Sequence, residues 1–197
     1  ACTVATDESK AEKLLQSAKR QNSTFINLGD KTTWKGGVME AGKGGGQKIN
    51  LVKEFIKDKK DSDVIVFFDG YDTFLSESIE EITYRFMEFS ERAIFSSERF
   101  CWPDESLGDS MIALNSNKST PYQYLNSGTY VARIGELKKI LKKRIKNDSD
   151  DQLYVQKEFL SEKHSIALDV EGYIFTCYEP QMKVRKGQLY NPITKCY

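Results

Sequence analysis

Several features that define common protein classes are scarce in this sequence. Its single histidine, His164, lies in a polar Glu-Lys-His-Ser segment, which argues against a Ser-His-Asp hydrolase built around it, and we predict a surface position for it. The four cysteines form no Cys-x-x-Cys pair, which excludes a zinc ribbon or a thioredoxin motif. We interpret them as buried free thiols, although their even number also permits two disulfides.

The chain also lacks an excess of either charge and any long apolar run. Lys plus Arg and Asp plus Glu number 29 each. This balance argues against a general nucleic-acid binder or a membrane-surface binder, because both carry a basic excess. No apolar run is long enough to cross a bilayer, so no transmembrane segment is predicted.

What is present is an alternation of short apolar runs with amphipathic segments. We predict strands at 2–6, 24–28, 64–69, 92–97, 124–132, 166–169 and 173–176. We predict helices at 7–22, 49–59, 78–90, 135–147 and 150–160, with a long polar loop at 29–48 and an irregular segment at 100–121. This alternation predicts one α/β domain over residues 1–197, with a mainly parallel sheet flanked by helices.

The segment Val64-Ile-Val-Phe-Phe-Asp69-Gly-Tyr-Asp72 carries the clearest chemical signal. An apolar run typical of a buried strand ends in Asp69 and Asp72. Ligands of open α/β sheets bind at the carboxyl ends of the strands, so we expect both acids in an opening there. Two hard oxygen ligands suit Mg²⁺ or Mn²⁺, and hence a diphosphate. The alternative, a turn cap followed by a helix start, fits an isolated Asp-x-x-Asp pattern about equally well.

Two further segments suggest a phosphate and a sugar. The run Gly44-Gly-Gly-Gln-Lys48 would let backbone N–H groups approach an anion, with Lys48 as a mobile charge, and Trp34 in the preceding loop would offer a stacking surface. Glu98 and Trp102 follow a predicted strand, and sugars are commonly held by an aromatic face plus carboxylates. The alternatives are a flexible loop in the first case, and a core tryptophan with a surface glutamate in the second.

Seven motifs occur in one order with a spacing that resembles the glycosyltransferase domain of the procollagen lysyl hydroxylases. They are Thr3-Val-Ala-Thr6, Trp34-Lys-Gly-Gly, Gly44-Gly-Gly-Gln-Lys48, Phe68-Asp-Gly-Tyr-Asp72, Phe95-Ser-Ser-Glu-Arg-Phe-Cys-Trp-Pro-Asp104, Leu125-Asn-Ser-Gly128 and Asp150-Asp-Gln-Leu-Tyr154. The resemblance covers residues 3–178. The chain is interpreted as a stand-alone version of this domain, with a virus as one candidate source.

The resemblance implies a GT-A-type fold and Mn²⁺-dependent, retaining transfer of glucose from UDP-glucose to galactosyl-hydroxylysine of collagen. It also implies roles for thirteen residues: Asp69 and Asp72 as metal ligands; Val4, Thr6, Trp34, Met39, Lys48 and Tyr71 around the UDP part of the donor; and Glu98, Trp102, Asn126, Asp150 and Asp151 around the glucose and the acceptor. By the same resemblance the protein would act in the endoplasmic reticulum, or in a host cell if viral.

The sequence departs from the family pattern at two points. A third metal ligand comes from a His-Gly-Asn motif in the family, which this sequence does not contain, and we expect the chain to stop just before that segment. Met39 stands where several relatives carry valine. The open alternatives are a hydroxylysine galactosyltransferase, and a non-catalytic sugar- or collagen-binding module with the same fold.

Overall fold

The computed structural model describes residues 1–38, 44–115 and 119–178, so Met39 and Cys196 lie outside the described residues. Six strands form one sheet in the order β2-β1-β3-β5-β4-β6. The strands are β1 (Cys2–Val4), β2 (Ile26–Asn27), β3 (Val64–Asp69), β4 (Ala93–Glu98), β5 (Tyr124–Arg133) and β6 (Ile166–Asp169). The helices are α1 (Glu12–Arg20), α2 (Gly46–Ile56), α3 (Ile79–Phe86), α4 (Gly108–Leu114), α5 (Ile134–Ile140) and α6 (Asp151–Leu160).

Five of these strands run in one direction, and β5 runs against them. β1 is parallel to β2 and β3, β4 is parallel to β6, and β5 is antiparallel to both β3 and β4. The predicted α/β architecture, a mainly parallel sheet flanked by helices, is therefore confirmed. Because β5 is reversed, it begins at the edge where β3 and β4 end. That reversal pairs Asn126 with Ser96, close to the end of β4.

The helices cover both faces of the sheet because side chains alternate along each strand. In β3, Ile65 and Phe67 join the cluster formed with α2, α5 and α6, whereas Val66 and Phe68 join the cluster formed with α1 and α3. Each fully buried large apolar side chain contributes roughly 1.5–3 kcal/mol. Burial on both faces explains why the β3 sequence is apolar without interruption until Asp69.

Local capping signals place two of the helices as predicted. The Ser78 hydroxyl accepts a hydrogen bond from the Glu81 N–H at 3.1 Å and starts α3, and the Asp150 carboxylate accepts one from the Leu153 N–H at 2.7 Å and starts α6. These bonds satisfy N–H groups that have no partner inside a helix.

Three predicted elements differ most from the structure. A helix, α4, occupies part of the segment predicted to be irregular. The predicted helix 135–147 ends at Ile140, whose carbonyl accepts a hydrogen bond from the Tyr154 hydroxyl at 3.1 Å. Residues 173–176 form no strand, because the N–H groups of residues 173–175 are bound by the buried carboxylate of Asp169.

The prediction of a surface position for His164 is wrong. Its side chain is only 13% exposed, and its Nε2 lies 3.2 Å from the buried carboxylate of Glu158. No pattern in the sequence brings these groups together, since the contact joins α6 to the segment before β6. The interpretation of the cysteines as buried free thiols holds fully for Cys2, whereas Cys101 and Cys177 are free thiols that are only half buried.

Within the described part of the chain, no helix is long and apolar enough to cross a membrane.

Candidate active site

A cleft of about 610 Å³ opens at the edge of the sheet where β3 and β4 end. It gathers residues predicted as metal-binding, phosphate-binding and sugar-binding groups from segments far apart in the chain. Those that line it are Lys48, Asp69, Asp72, Glu98, Trp102, Asn126, Asp150 and Asp151. The sheet edge is therefore where the polar groups converge, as expected for an open α/β fold.

Lys48 is a buried cation in the lining of the cleft. Its side chain is 7% exposed, and its Nζ lies 2.8 Å from Oδ2 of Asp69 and 2.9 Å from Oδ2 of Asp151. One ammonium thus joins the end of β3 to the start of α6. Burial alone would lower the pKa of Lys48, but the two carboxylates outweigh it and raise the pKa, so the side chain stays charged.

Negative charge exceeds positive charge around this lysine. The described lining residues include six carboxylates but only two cationic side chains, Lys48 and Arg85. Burial raises the pKa of Asp72, and the neighbouring charge of Asp69 raises it further. Burial also raises the pKa of Asp151, against the opposing effect of Lys48. The cleft therefore favours a cation or a donor of hydrogen bonds over a free anion.

The structure contradicts part of the predicted backbone anion site at the glycine run. The N–H groups of Gly45, Gly46 and Gln47 donate to the carbonyls of residues 36, 149 and 147 at 2.8–2.9 Å, so they are not available to a phosphate. Instead the glycines permit close packing. A Cβ on Gly45 would lie 2.3 Å from the Asp151 carboxylate, and a Cβ on Gly46 would lie 2.1 Å from the Lys146 carbonyl oxygen. The run places α2, and with it Lys48, against the start of α6.

A hydrogen-bond network fixes the sugar-side residues. Glu98 accepts from the Asn126 side-chain amide at 3.1 Å and from Nε2 of Gln152 at 2.6 Å. The same Gln152 nitrogen donates to the Trp102 carbonyl at 2.7 Å. The Trp102 ring remains half exposed toward solvent. The sequence analysis did not predict Gln152 as a site residue, although it directly follows the Asp150-Asp151 pair and belongs to the same motif.

Four residues predicted to hold the nucleotide are not among the described residues that line this cleft: Val4, Thr6, Trp34 and Tyr71. Val4 is buried and pairs with Asp69 across β1 and β3. The Tyr71 hydroxyl accepts hydrogen bonds from the N–H groups of Thr6 and Asp7 at 3.1 Å. Val4, Thr6 and Tyr71 therefore lie together at the end of β1, beside the strand end that carries Asp69.

The prediction that Trp34 offers a stacking surface from its loop needs correction. Its side chain is half buried against the core, and its Nε1 donates to the Gly37 carbonyl at 2.8 Å. The flanking backbone is held by Gln47, whose side chain binds the Thr33 carbonyl and the Lys35 N–H. The first part of this loop is anchored to α2.

The donor set at the cleft fits a divalent cation only in part. Within residues 1–38, 44–115 and 119–178, no group of three or more His, Cys, Asp or Glu side chains could hold a metal ion. Asp69 and Asp72 nevertheless both line the cleft, at the end of β3 and just after it. Mg²⁺ commonly binds through one or two carboxylates together with water and substrate phosphates. The pair fits that kind of site.

Sequence comparison places the chain in a family. The family model described as the PLOD GT domain matches residues 1–186. The chain belongs to this family. The resemblance inferred from the seven motifs is thereby confirmed, and PLOD GT domains are glycosyltransferase domains.

Three relatives illustrate this family. A Caenorhabditis elegans multifunctional procollagen lysine hydroxylase and glycosyltransferase is 38% identical over 169 residues, which are 82% of this chain and 22% of the relative. A Drosophila melanogaster procollagen-lysine,2-oxoglutarate 5-dioxygenase is 34% identical over 180 residues, which are 88% of this chain and 24% of the relative. Uncharacterized protein R699 of Acanthamoeba polyphaga mimivirus is 33% identical over 181 residues, which are 89% of this chain and 39% of the relative. The chain thus spans between about a fifth and two fifths of the length of these relatives.

Proposed function

We propose that this PLOD GT domain is a metal-dependent, retaining glucosyltransferase that moves glucose from UDP-glucose to galactosyl-hydroxylysine of collagen-like proteins. The observation that carries the proposal is the Lys48 ion pair, which joins the strand-end Asp69 to the helix-start Asp151 inside one cleft. Family membership supports glycosyl transfer, and the names of the relatives support a procollagen lysine acceptor. Action in the secretory pathway follows from that acceptor and is part of the proposal.

At the donor end, Asp69 and Asp72 would hold a divalent cation, with Mn²⁺ as the expected ion. When bound, that cation would stabilise the negative charge that develops on the leaving diphosphate. Lys48 adds a fixed positive charge beside Asp69, and its burial in a low-dielectric site strengthens its effect. Two ion pairs hold this ammonium in place, so little reorganisation is needed as charge develops.

At the sugar end, the carboxylates differ in how accessible they are. Asp151 is buried and committed to Lys48, whereas Asp150 and Glu98 are half buried. Asp150 and Glu98 are therefore better placed to meet a sugar, Asp150 while also capping α6. A carboxylate near the anomeric carbon would stabilise positive charge there, and either a double displacement or a same-face return would give retention.

The test is UDP-glucose turnover with galactosyl-hydroxylysine as acceptor, with and without Mn²⁺. We expect Mn²⁺-dependent transfer by the 197-residue chain, and loss of at least about 100-fold in Asp69→Ala, because that change removes a cation ligand and a partner of Lys48. Asp58→Ala, an exposed carboxylate beyond the end of α2, is the matched control and should retain activity. Normal Mn²⁺-dependent turnover in Asp69→Ala would contradict the proposal.

A donor screen separates the alternatives. Turnover of UDP-galactose in place of UDP-glucose, with hydroxylysine as acceptor, would identify a galactosyltransferase. Binding of a sugar or collagen peptide without turnover of any UDP-sugar would favour a binding module. The binding-module alternative is motivated by the described residues, among which no group of three or more metal-ligating side chains occurs.

A further inference from the structure

Two exposed aromatic rings form a wall of the cleft that no predicted function uses. Phe74 is 54% exposed and Tyr178 is 68% exposed, and both line the cleft. Their ring centroids lie 6.2 Å apart with an interplanar angle of 16°, so the rings are stacked. We call this pair the aromatic wall. Exposing two large rings side by side has a cost in water, so a contiguous apolar surface in a cleft suggests a ligand.

The exposure of Phe74 results from a rigid segment. The Thr73 hydroxyl donates to the Asp69 carbonyl, just before Phe74. The Leu75 N–H donates to the buried Ser17 hydroxyl at 2.8 Å, just after it, and the Leu75 side chain is buried. Because both neighbours are fixed, the ring of Phe74 is directed outward by the fold.

Tyr178 is displayed by a second anchored segment. The buried Asp169 carboxylate accepts three backbone N–H groups from residues 173–175 at 2.6–2.8 Å, and Arg85 donates to the Tyr173 carbonyl at 2.9 Å. Phe175 is buried and packs against Phe68 with a centroid distance of 6.1 Å. The chain therefore enters the cleft from a fixed point three residues before Tyr178.

The aromatic wall faces a chemically different surface. Phe74 and Phe175 belong to segments packed on the α1/α3 side of the sheet, whereas Lys48, Asp150 and Asp151 come from helices packed on the α2/α6 side. The cleft thus combines the exposed rings of the aromatic wall with carboxylates contributed from both sides of the sheet. A pyranose matches this combination, because its C–H face stacks on aromatic rings and its hydroxyls donate to carboxylates.

We propose that the aromatic wall binds the sugar ring of the acceptor glycoside, and this inference rests on the proposed function. The donor glucose must lie deep in the cleft, near the metal-binding and catalytic carboxylates. The acceptor sugar is attached to a polypeptide that has to remain outside, so its site must open to solvent. Rings that are more than half exposed meet that requirement.

The experiment measures KM separately for acceptor and donor. We expect Phe74→Ala and Tyr178→Ala each to raise the KM for galactosyl-hydroxylysine about three- to tenfold, because each change removes one stacking contact. The effect on the KM for UDP-glucose should be smaller. Phe74→Tyr keeps a ring and should stay near wild type. Tyr84→Ala is the matched control, since Tyr84 is 65% exposed but outside the cleft lining. An unchanged acceptor KM, or an equal rise for the donor, would overturn the inference.

A second measurement keeps the inference separate from the proposed function. If wild type turns over no UDP-sugar, the proposed function fails, and binding of methyl β-galactoside is then followed by ligand-observed NMR. Weaker binding in Phe74→Ala than in Tyr84→Ala would still support a sugar site on the aromatic wall. Equal binding in both variants, or no binding to wild type, would refute it.

Discussion

Replacing Lys48 with methionine removes a buried positive charge from the lining of the cleft while keeping most of the volume of the side chain. Lys48 is 7% exposed and forms ion pairs with two carboxylates, Asp69 and Asp151, whose side chains are 26% and 10% exposed. Breaking a buried ion pair by removing one partner typically costs about 3–5 kcal/mol, because the remaining charge is left without compensation. Asp69 can partly hydrate, so we expect the lower end, about 3 kcal/mol.

The free energy of unfolding is measured by urea denaturation at pH 7, followed by tryptophan fluorescence. Asp151→Asn alone should cost less, about 1–2 kcal/mol, because Lys48 keeps its ion pair with Asp69. The double variant Lys48→Met/Asp151→Asn should then be more stable than Lys48→Met alone by at least about 1 kcal/mol, since it no longer buries an unpaired Asp151.

Lys53→Met is the matched control for this series. Lys53 lies on the same helix, and its ammonium reaches the Lys143 carbonyl at an exposed position, so the change should stay within about 0.5 kcal/mol. A loss below about 1 kcal/mol for Lys48→Met, or no recovery of stability in the double variant, would refute the idea that Lys48 holds the two segments together electrostatically.

Two further predictions concern packing and pH. Gly46→Ala should lower the free energy of unfolding by about 1–3 kcal/mol, because its Cβ would meet the Lys146 carbonyl oxygen at 2.1 Å. Gly108→Ala is the control: its Cβ would make only ordinary contacts at 3.4 Å, so the change should be nearly neutral in the same urea titration. The second uses Glu136, where burial would raise the pKa but the Ser165 N–H and Lys139 outweigh it and lower the pKa below its usual 4.5. The stability that Glu136 adds is present above pH 4.5 and is lost as the pH falls through the lower pKa of the folded state. The difference in free energy of unfolding between wild type and Glu136→Gln should therefore shrink in acid. A difference that grows below pH 4.5 would contradict this.

Local signals in the sequence determined the class of fold and much of the site. The apolar run that ends at Asp69 predicted a buried strand opening into a ligand site, because only a strand buried on both faces stays apolar throughout. Ser78 and Asp150 predicted helix starts, because a cap acts on an N–H three residues away. The ordered motifs predicted the family, which comparison confirmed.

Only the tertiary structure decided which partners these groups have. Each of these contacts joins segments that are distant in the sequence: the antiparallel pairing of β5 with β3, the ion pairs of Lys48, and the stacking of Phe74 on Tyr178. The glycine run shows why pattern alone misled: its backbone freedom suits a phosphate loop and a close helix contact equally. The choice depended on the carbonyls at residues 147 and 149, which the fold brings against the start of α2.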